Sequence, residues 1–152
     1  MIVIDYFNFL YCRYSEITEE LIKKNLKIIA NFFEDKNTYV KIVFDGVRFR
    51  GIFLNHKKIA LIFSERQSAD DVIIEIFEKL QGKTHVLVSR DRHLGNVIKA
   101  KSNSLIVDPL SLWKKLDLFY KHSPFGLVKK SSLQKTTDYI DDSLDDLYKK
   151  IK

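Results

Sequence analysis

The sequence predicts an α/β fold: a three-layer sandwich of helices packed on both faces of a mainly parallel central sheet. Three observations carry this. Short, fully apolar β-branched runs alternate with longer segments whose apolar residues recur at helical spacing. The first run, Met1 to Ile4, has no polar face, as expected of a strand covered on both sides. The order reads β, α, β, β, α, β, α, β, α, which builds a parallel sheet with ligand sites outside the carboxyl ends of its strands.

The first strand ends at Asp5. Thr18, followed by Glu19 and Glu20, is the expected N-cap of a helix in which Leu21, Ile22, Leu26, Ile29, Phe32 and Phe33 share one face, running up to Asn37. Tyr39 to Phe44 is the second strand, closed by Asp45, Gly46 and a basic loop from Val47 to Gly51. Ile59 to Phe63 is a short third strand. Ser68 starts the next helix, with Val72, Ile73, Ile76, Phe77 and Leu80 apolar and Gly82 as its stop. Val86 to Val88 is a strand ending at Ser89, Arg90 to Lys101 is helical, and Ser104 to Val107 is the last strand. Pro109 opens a helix to about His122.

Residues 1–122 therefore form one domain, and residues 123–152 a polar extension. Within that extension Ile140, Leu144, Leu147 and Ile151 form a narrow stripe, which predicts an amphipathic helix over 138–152 that docks on its own domain. The chain's 152 residues and 45% apolar content suffice for one core without disulfides or structural zinc. Cys12 is the single cysteine, expected in the core, and a reducing cytosol fits it. The start MIVID has neither the basic nor the long apolar stretch of a signal peptide, and no segment approaches the length of a membrane span. Twenty-six Lys and Arg against 20 Asp and Glu leave a net charge of +6, which suits polyanionic partners and equally suits plain solubility.

Aspartate follows the strands repeatedly: Asp5, Asp45 and, after Ser89 and Arg90, Asp91. Asp70 and Asp71 lie in the first turn of a helix that starts at the same sheet edge. Clustered carboxylates repel by several kcal/mol at about 4 Å, at the intermediate dielectric of a protein surface, and a cation offsets that cost. Mg²⁺ or Mn²⁺ suits carboxylate oxygens and can activate water against a phosphodiester. Arg48, Arg50, Arg66, Arg90 and Arg92 flank these positions and are candidates for holding phosphate.

The motifs IVIDYFN, IVFDG, SADDVI and VLVSRD, in this order over about residues 1 to 110, resemble the NYN domain and YacP-like nucleases of the PIN-like superfamily. The resemblance implies a PIN-like sandwich and a metal-dependent ribonuclease acting on RNA in the cytoplasm, with the ribosome a partner of some relatives. It implies metal ligation by Asp5, Asp45, Asp70 and Asp91, with Asn8 hydrogen-bonding into the site from the loop after the first strand and Ser89 orienting Asp91. The sequence departs from the family pattern at Tyr6, where a glycine is usual, and at His93, where many relatives place a second acid. The first departure bears on loop shape, and the second leaves the number of metal ions open.

Plainer roles compete. Ser68 and Asp71 also form a capping box, the preferred reading of Asp71, and Ser89 also fits an N-cap. Asp5 and Asp45 could simply end strands, Asn8 could make a local turn, and Asp108 caps the helix at Pro109. The four histidines lack metal spacing, although His93 could touch phosphate near Asp91. Tyr6 and Phe7 pack, or one of them stacks on an unpaired base. Two other functions stay open: a non-catalytic RNA- or ribosome-binding module, and another phosphoryl-transfer enzyme. A DxD phosphatase would need an acid at Phe7, and neither a GxGxxG nor a P-loop is present. The residues specify no oligomeric state.

Overall fold

In the computed structural model, which describes residues 1–48, 51–80 and 84–122, five strands form one all-parallel sheet. They are β1 (Ile2–Asp5), β2 (Val40–Phe44), β3 (Ile59–Phe63), β4 (His85–Val88) and β5 (Ser104–Val107), in the order β3-β2-β1-β4-β5. β1 is central, with Asp5 opposite Val43 of β2 and Ile4 opposite Val88 of β4. The chain winds outward from β1 to β2 and β3, then crosses to β4 and β5 on the other side. The switch point therefore lies at the carboxyl ends of β1 and β4, where this topology opens a crevice.

The sheet is covered on both faces. On one lie α1 (Tyr6–Tyr11), α2 (Glu19–Phe33) and α5 (Pro109–His122), packed on Ile2, Ile4, Val40, Ile42 and Phe44. On the other lie α3 (Ala69–Glu78) and α4 (Arg92–Lys101), packed on Val3, Val43 and Leu87. All four residues of β1 and of β4 are buried, which is why neither run shows a polar face. Burying each such aliphatic side chain contributes roughly 1.5–3 kcal/mol.

Thr18, Ser68 and Asp91 are N-caps whose side chains accept from backbone N–H groups three residues on. α2 stops at Phe33, short of the expected Asn37, because its apolar recurrence ends there and Glu34 to Asn37 offers nothing to bury. The α4 helix begins at Arg92 with Asp91 as its cap, so Ser89 is not the cap. Asp108 does cap α5, accepting from the Leu110 N–H at 2.8 Å.

The largest departure from the sequence reading is α1, where a loop was expected. Six residues cannot sustain a helix alone. Tertiary contacts hold it: the Tyr6 hydroxyl donates to the Ile22 carbonyl at 3.0 Å, Phe9 stacks on Trp113 at 4.2 Å, and the Trp113 indole donates to the Phe9 carbonyl at 2.9 Å. Gly82 and the expected helix over 138–152 lie outside the described residues, as does the rest of 123–152. Among the described residues no helix is long and apolar enough to cross a membrane.

Candidate active site

Asp5 is the last residue of the central strand and the cap of α1, so its position is set by sheet and helix together. It is 8% exposed. Its Oδ2 accepts from the Ser89 hydroxyl at 3.0 Å, and its Oδ1 receives the Asn8 N–H at 3.5 Å. Burial raises the carboxyl pKa from 3.8 to about 6; the Ser89 and Asn8 bonds pull it down, and Asp70 and Asp91 push it further up.

Ser89 Oγ also accepts the Asp91 N–H at 3.1 Å, and Asn8 Oδ1 accepts the Arg90 N–H at 2.8 Å. The segment after β4 is thereby tied to the corner between β1 and α1. Ser89 thus bonds both the backbone of Asp91 and the carboxylate of Asp5. Asn8 acts from the first turn of α1 rather than from a loop, and its side chain grips backbone rather than a carboxylate.

Asp45 follows β2, and its Oδ1 accepts from the Ser64 hydroxyl at 3.3 Å and the Ala69 N–H at 3.1 Å. It thus pins the start of α3 to the sheet edge while remaining exposed itself. Gly46, with φ +90°, turns the chain immediately after it. Asp70 is partly buried; burial raises its pKa first, then the charges of Asp91, Asp71 and Asp45, with His93 opposing them. Asp71 is instead tied to the cap of its own helix, its carboxylate receiving the Ser68 hydroxyl at 2.7 Å and its N–H donating to that oxygen at 3.1 Å.

Asp5, Asn8, Asp45, Asp70 and Asp91 all line one open cleft of about 650 Å³ at the carboxyl edge, with Phe7, Tyr11, Cys12 and Arg90 among its other walls. Cys12 is half-buried in this wall rather than in the core. Of the candidate phosphate-holding arginines, only Arg90 lines the cleft, and its guanidinium pairs with Asp108 through two 3.3 Å contacts. Arg48, Arg66 and Arg92 are exposed and do not line it, while Arg50 lies outside the described residues. Ser64 went unnoticed in the sequence. Its signal, a polar residue directly after a strand, is too common to single it out.

Among the described residues no three of His, Cys, Asp and Glu form a ready metal-binding group. The carboxylates come from separate elements around an open space. This arrangement fits a hydrated Mg²⁺ or Mn²⁺, which takes one or two protein carboxylates and retains water elsewhere. It does not fit a closed, zinc-type cage.

The fold and cleft together define a class: a doubly wound α/β protein with an acidic site at the switch point of its sheet. The family model described as the YacP-like NYN domain matches residues 3–151, and the chain belongs to that family, whose fold is of the nuclease type. The structure of Rae1 (YacP) from Bacillus subtilis is similar at a TM-score of 0.65 and 14% identity, over 80% of this chain and 75% of that one. A mutant of the same protein gives 0.63 and 15%, over 79% and 76%. No curated protein matches.

Proposed function

We propose that this protein is a metal-dependent endoribonuclease that hydrolyses RNA phosphodiester bonds, with mRNA on or near the ribosome as its setting and the cytoplasm as its compartment. The observation that carries the reading is the gathering of Asp5, Asp45, Asp70 and Asp91, from four separate segments, around one cleft at the switch point. A stable fold has no use for such a cluster: it concentrates like charge and holds two of its carboxyls above their ordinary range.

A bound Mg²⁺ or Mn²⁺ would neutralise the phosphate and make water a stronger nucleophile. Asp5, Asp45, Asp70 and Asp91 are the residues proposed to hold it, one or two directly and the others through the water it retains. Ser89 fixes the Asp5 carboxylate, and Asn8 fixes the segment that carries Asp91. As water attacks phosphorus the bond to the ribose oxygen breaks, and the ion would offset the charge on the leaving oxygen while the water's proton passes to solvent. Arg48, Arg66 and Arg92 supply a positive surround for the strand on either side of the cut.

The test is cleavage of labelled single-stranded RNA and matched DNA with Mn²⁺, Mg²⁺ or EDTA. Metal-dependent cutting of RNA that disappears in Asp5→Asn and Asp70→Asn supports the nuclease. RNA binding that is equal in wild type and variants, with no cutting under any metal, makes the chain a non-catalytic RNA-binding module. Activity confined to small phosphomonoesters replaces both readings with a phosphatase.

A further inference from the structure

We infer that Phe7 and Tyr11 form a stacking platform for one unpaired base of the bound strand, beside the scissile phosphate. This rests on the nucleic-acid reading of the same cleft and adds the chemistry that would set its preference for unpaired nucleotides.

Phe7 and Tyr11 stand four residues apart on α1 and so share one side of it. That side faces the cleft: both residues line it together with Asp5 and Asn8. The two rings have centroids 6.4 Å apart and planes 35° apart. Phe7 is half-buried and braced edge-on against Phe44 at 6.1 Å, so its ring has a fixed orientation. Tyr11 leaves 61% of its surface exposed at the cleft wall.

The other aromatic residues of α1 show what packing looks like here. Tyr6 and Phe9 are completely buried, one bonded to α2 and the other stacked on α5. Tyr11 makes no comparable commitment to the core. A Tyr side chain has only two torsions, so ordering it against a ligand costs little. Arg90, the other planar group in the cleft, is already paired with Asp108. The surface offered to a base is therefore the aromatic wall, one helical turn from Asp5 and Asn8. A phosphate at the carboxylates with its neighbouring base on this wall is the arrangement that single-strand binders achieve with a charged groove and aromatic side chains.

The experiment compares wild type, Tyr11→Ala and Tyr11→Phe on single-stranded RNA oligonucleotides carrying 2-aminopurine at successive positions. Anisotropy and fluorescence are read in EDTA, and cleavage is read in parallel with Mn²⁺. The platform requires quenching at one register in wild type and Tyr11→Phe, with binding weakened about 5- to 100-fold and the quench lost in Tyr11→Ala. If RNA is cut and Tyr11→Ala binds, quenches and cuts like wild type, the platform is wrong and the nuclease stands. Tyr11-dependent binding without any cutting upholds the platform and sinks the nuclease. A wild type that neither binds nor cuts RNA overturns both.

Discussion

The two edges of the sheet treat charge in opposite ways. At the amino edge several polar groups are matched, with His85 an exception. His56 Nε2 lies 2.9 Å from Glu34 Oε2, the Lys58 ammonium donates to the Lys36 carbonyl at 3.0 Å, and Asn103 donates to the Thr84 hydroxyl at 3.3 Å. His85, buried there without a hydrogen-bond partner for either ring nitrogen among the described residues, is held neutral by burial, which lowers its pKa. At the carboxyl edge four aspartates face one cleft, and Asp5 is pushed up to about 6. Folding alone favours the first arrangement. The second costs stability, and that cost points to function.

The largest expected effect is on activity. Asp5→Asn and Asp70→Asn should each lower the rate of metal-dependent RNA cleavage by about a thousandfold or more, whereas Glu34→Gln at the other edge should leave it unchanged. Steady-state rates on one labelled RNA check this, and equal losses at both edges would erase the contrast.

The next effect is on stability. In the folded chain Asp5 titrates near 6, against 3.8 in the unfolded one, so the folded state binds more protons between those values. The contribution of this one group should therefore be most favourable below about pH 4, fall through pH 4–6, and stay reduced above it, costing roughly 3 kcal/mol at neutral pH. Asp5→Asn removes the charge and keeps an acceptor for Ser89. It should raise Tm at pH 7.5 by several degrees, at about 2–4 °C per kcal/mol, and the gain should shrink toward pH 4. Mn²⁺ should raise wild-type Tm at pH 7.5 and raise that of the variant less. A Tm for Asp5→Asn that is lower at every pH would show the carboxylate to be a structural asset like those of the amino edge.

Ser89→Ala should cost about 1–2 kcal/mol of stability and about 10- to 100-fold in cleavage, since it leaves Asp5 Oδ2 without its donor and Asp91 N–H without its acceptor. The pKa of Asp5 should rise further, moving the acid limb of the pH–rate profile upward. A profile that falls in height without moving would assign Ser89 to packing alone. The smallest effect belongs to the amino edge: Glu34→Gln should change thermal stability by no more than about 0.5 kcal/mol, because Glu34 is largely exposed.

Much of the site was legible because topology does the gathering. Asp5, Asp45 and Asp91 were marked by the strands they follow, and a parallel sheet brings such ends together whatever lies between them. The pairing of Asp71 with the cap residue Ser68 was legible from their spacing. The helix α1 was not, although Asp5 as a cap and Tyr6, Phe9 and Leu10 at helical spacing were visible. A six-residue aromatic run resembles a strand as closely as a helix, and its helical form depends on Ile22 and Trp113, distant in sequence. The same blindness hid the exposure of Cys12 and Tyr11 to the cleft and the bond from Ser64 to Asp45.

By itself the sequence determined the strand order and every described helix except α1, the parallel sheet, the caps at Thr18, Ser68 and Asp108, and the set of acids at the carboxyl edge. These are properties of local pattern and of alternation along the chain. Only the tertiary structure decided that Asp5 is buried and raised, that Ser89 and Asn8 tie the two sides of the switch point together, that Arg90 is paired with Asp108, and that Tyr11 faces the cleft. Each of these depends on contacts between segments far apart in the chain, which no local periodicity encodes.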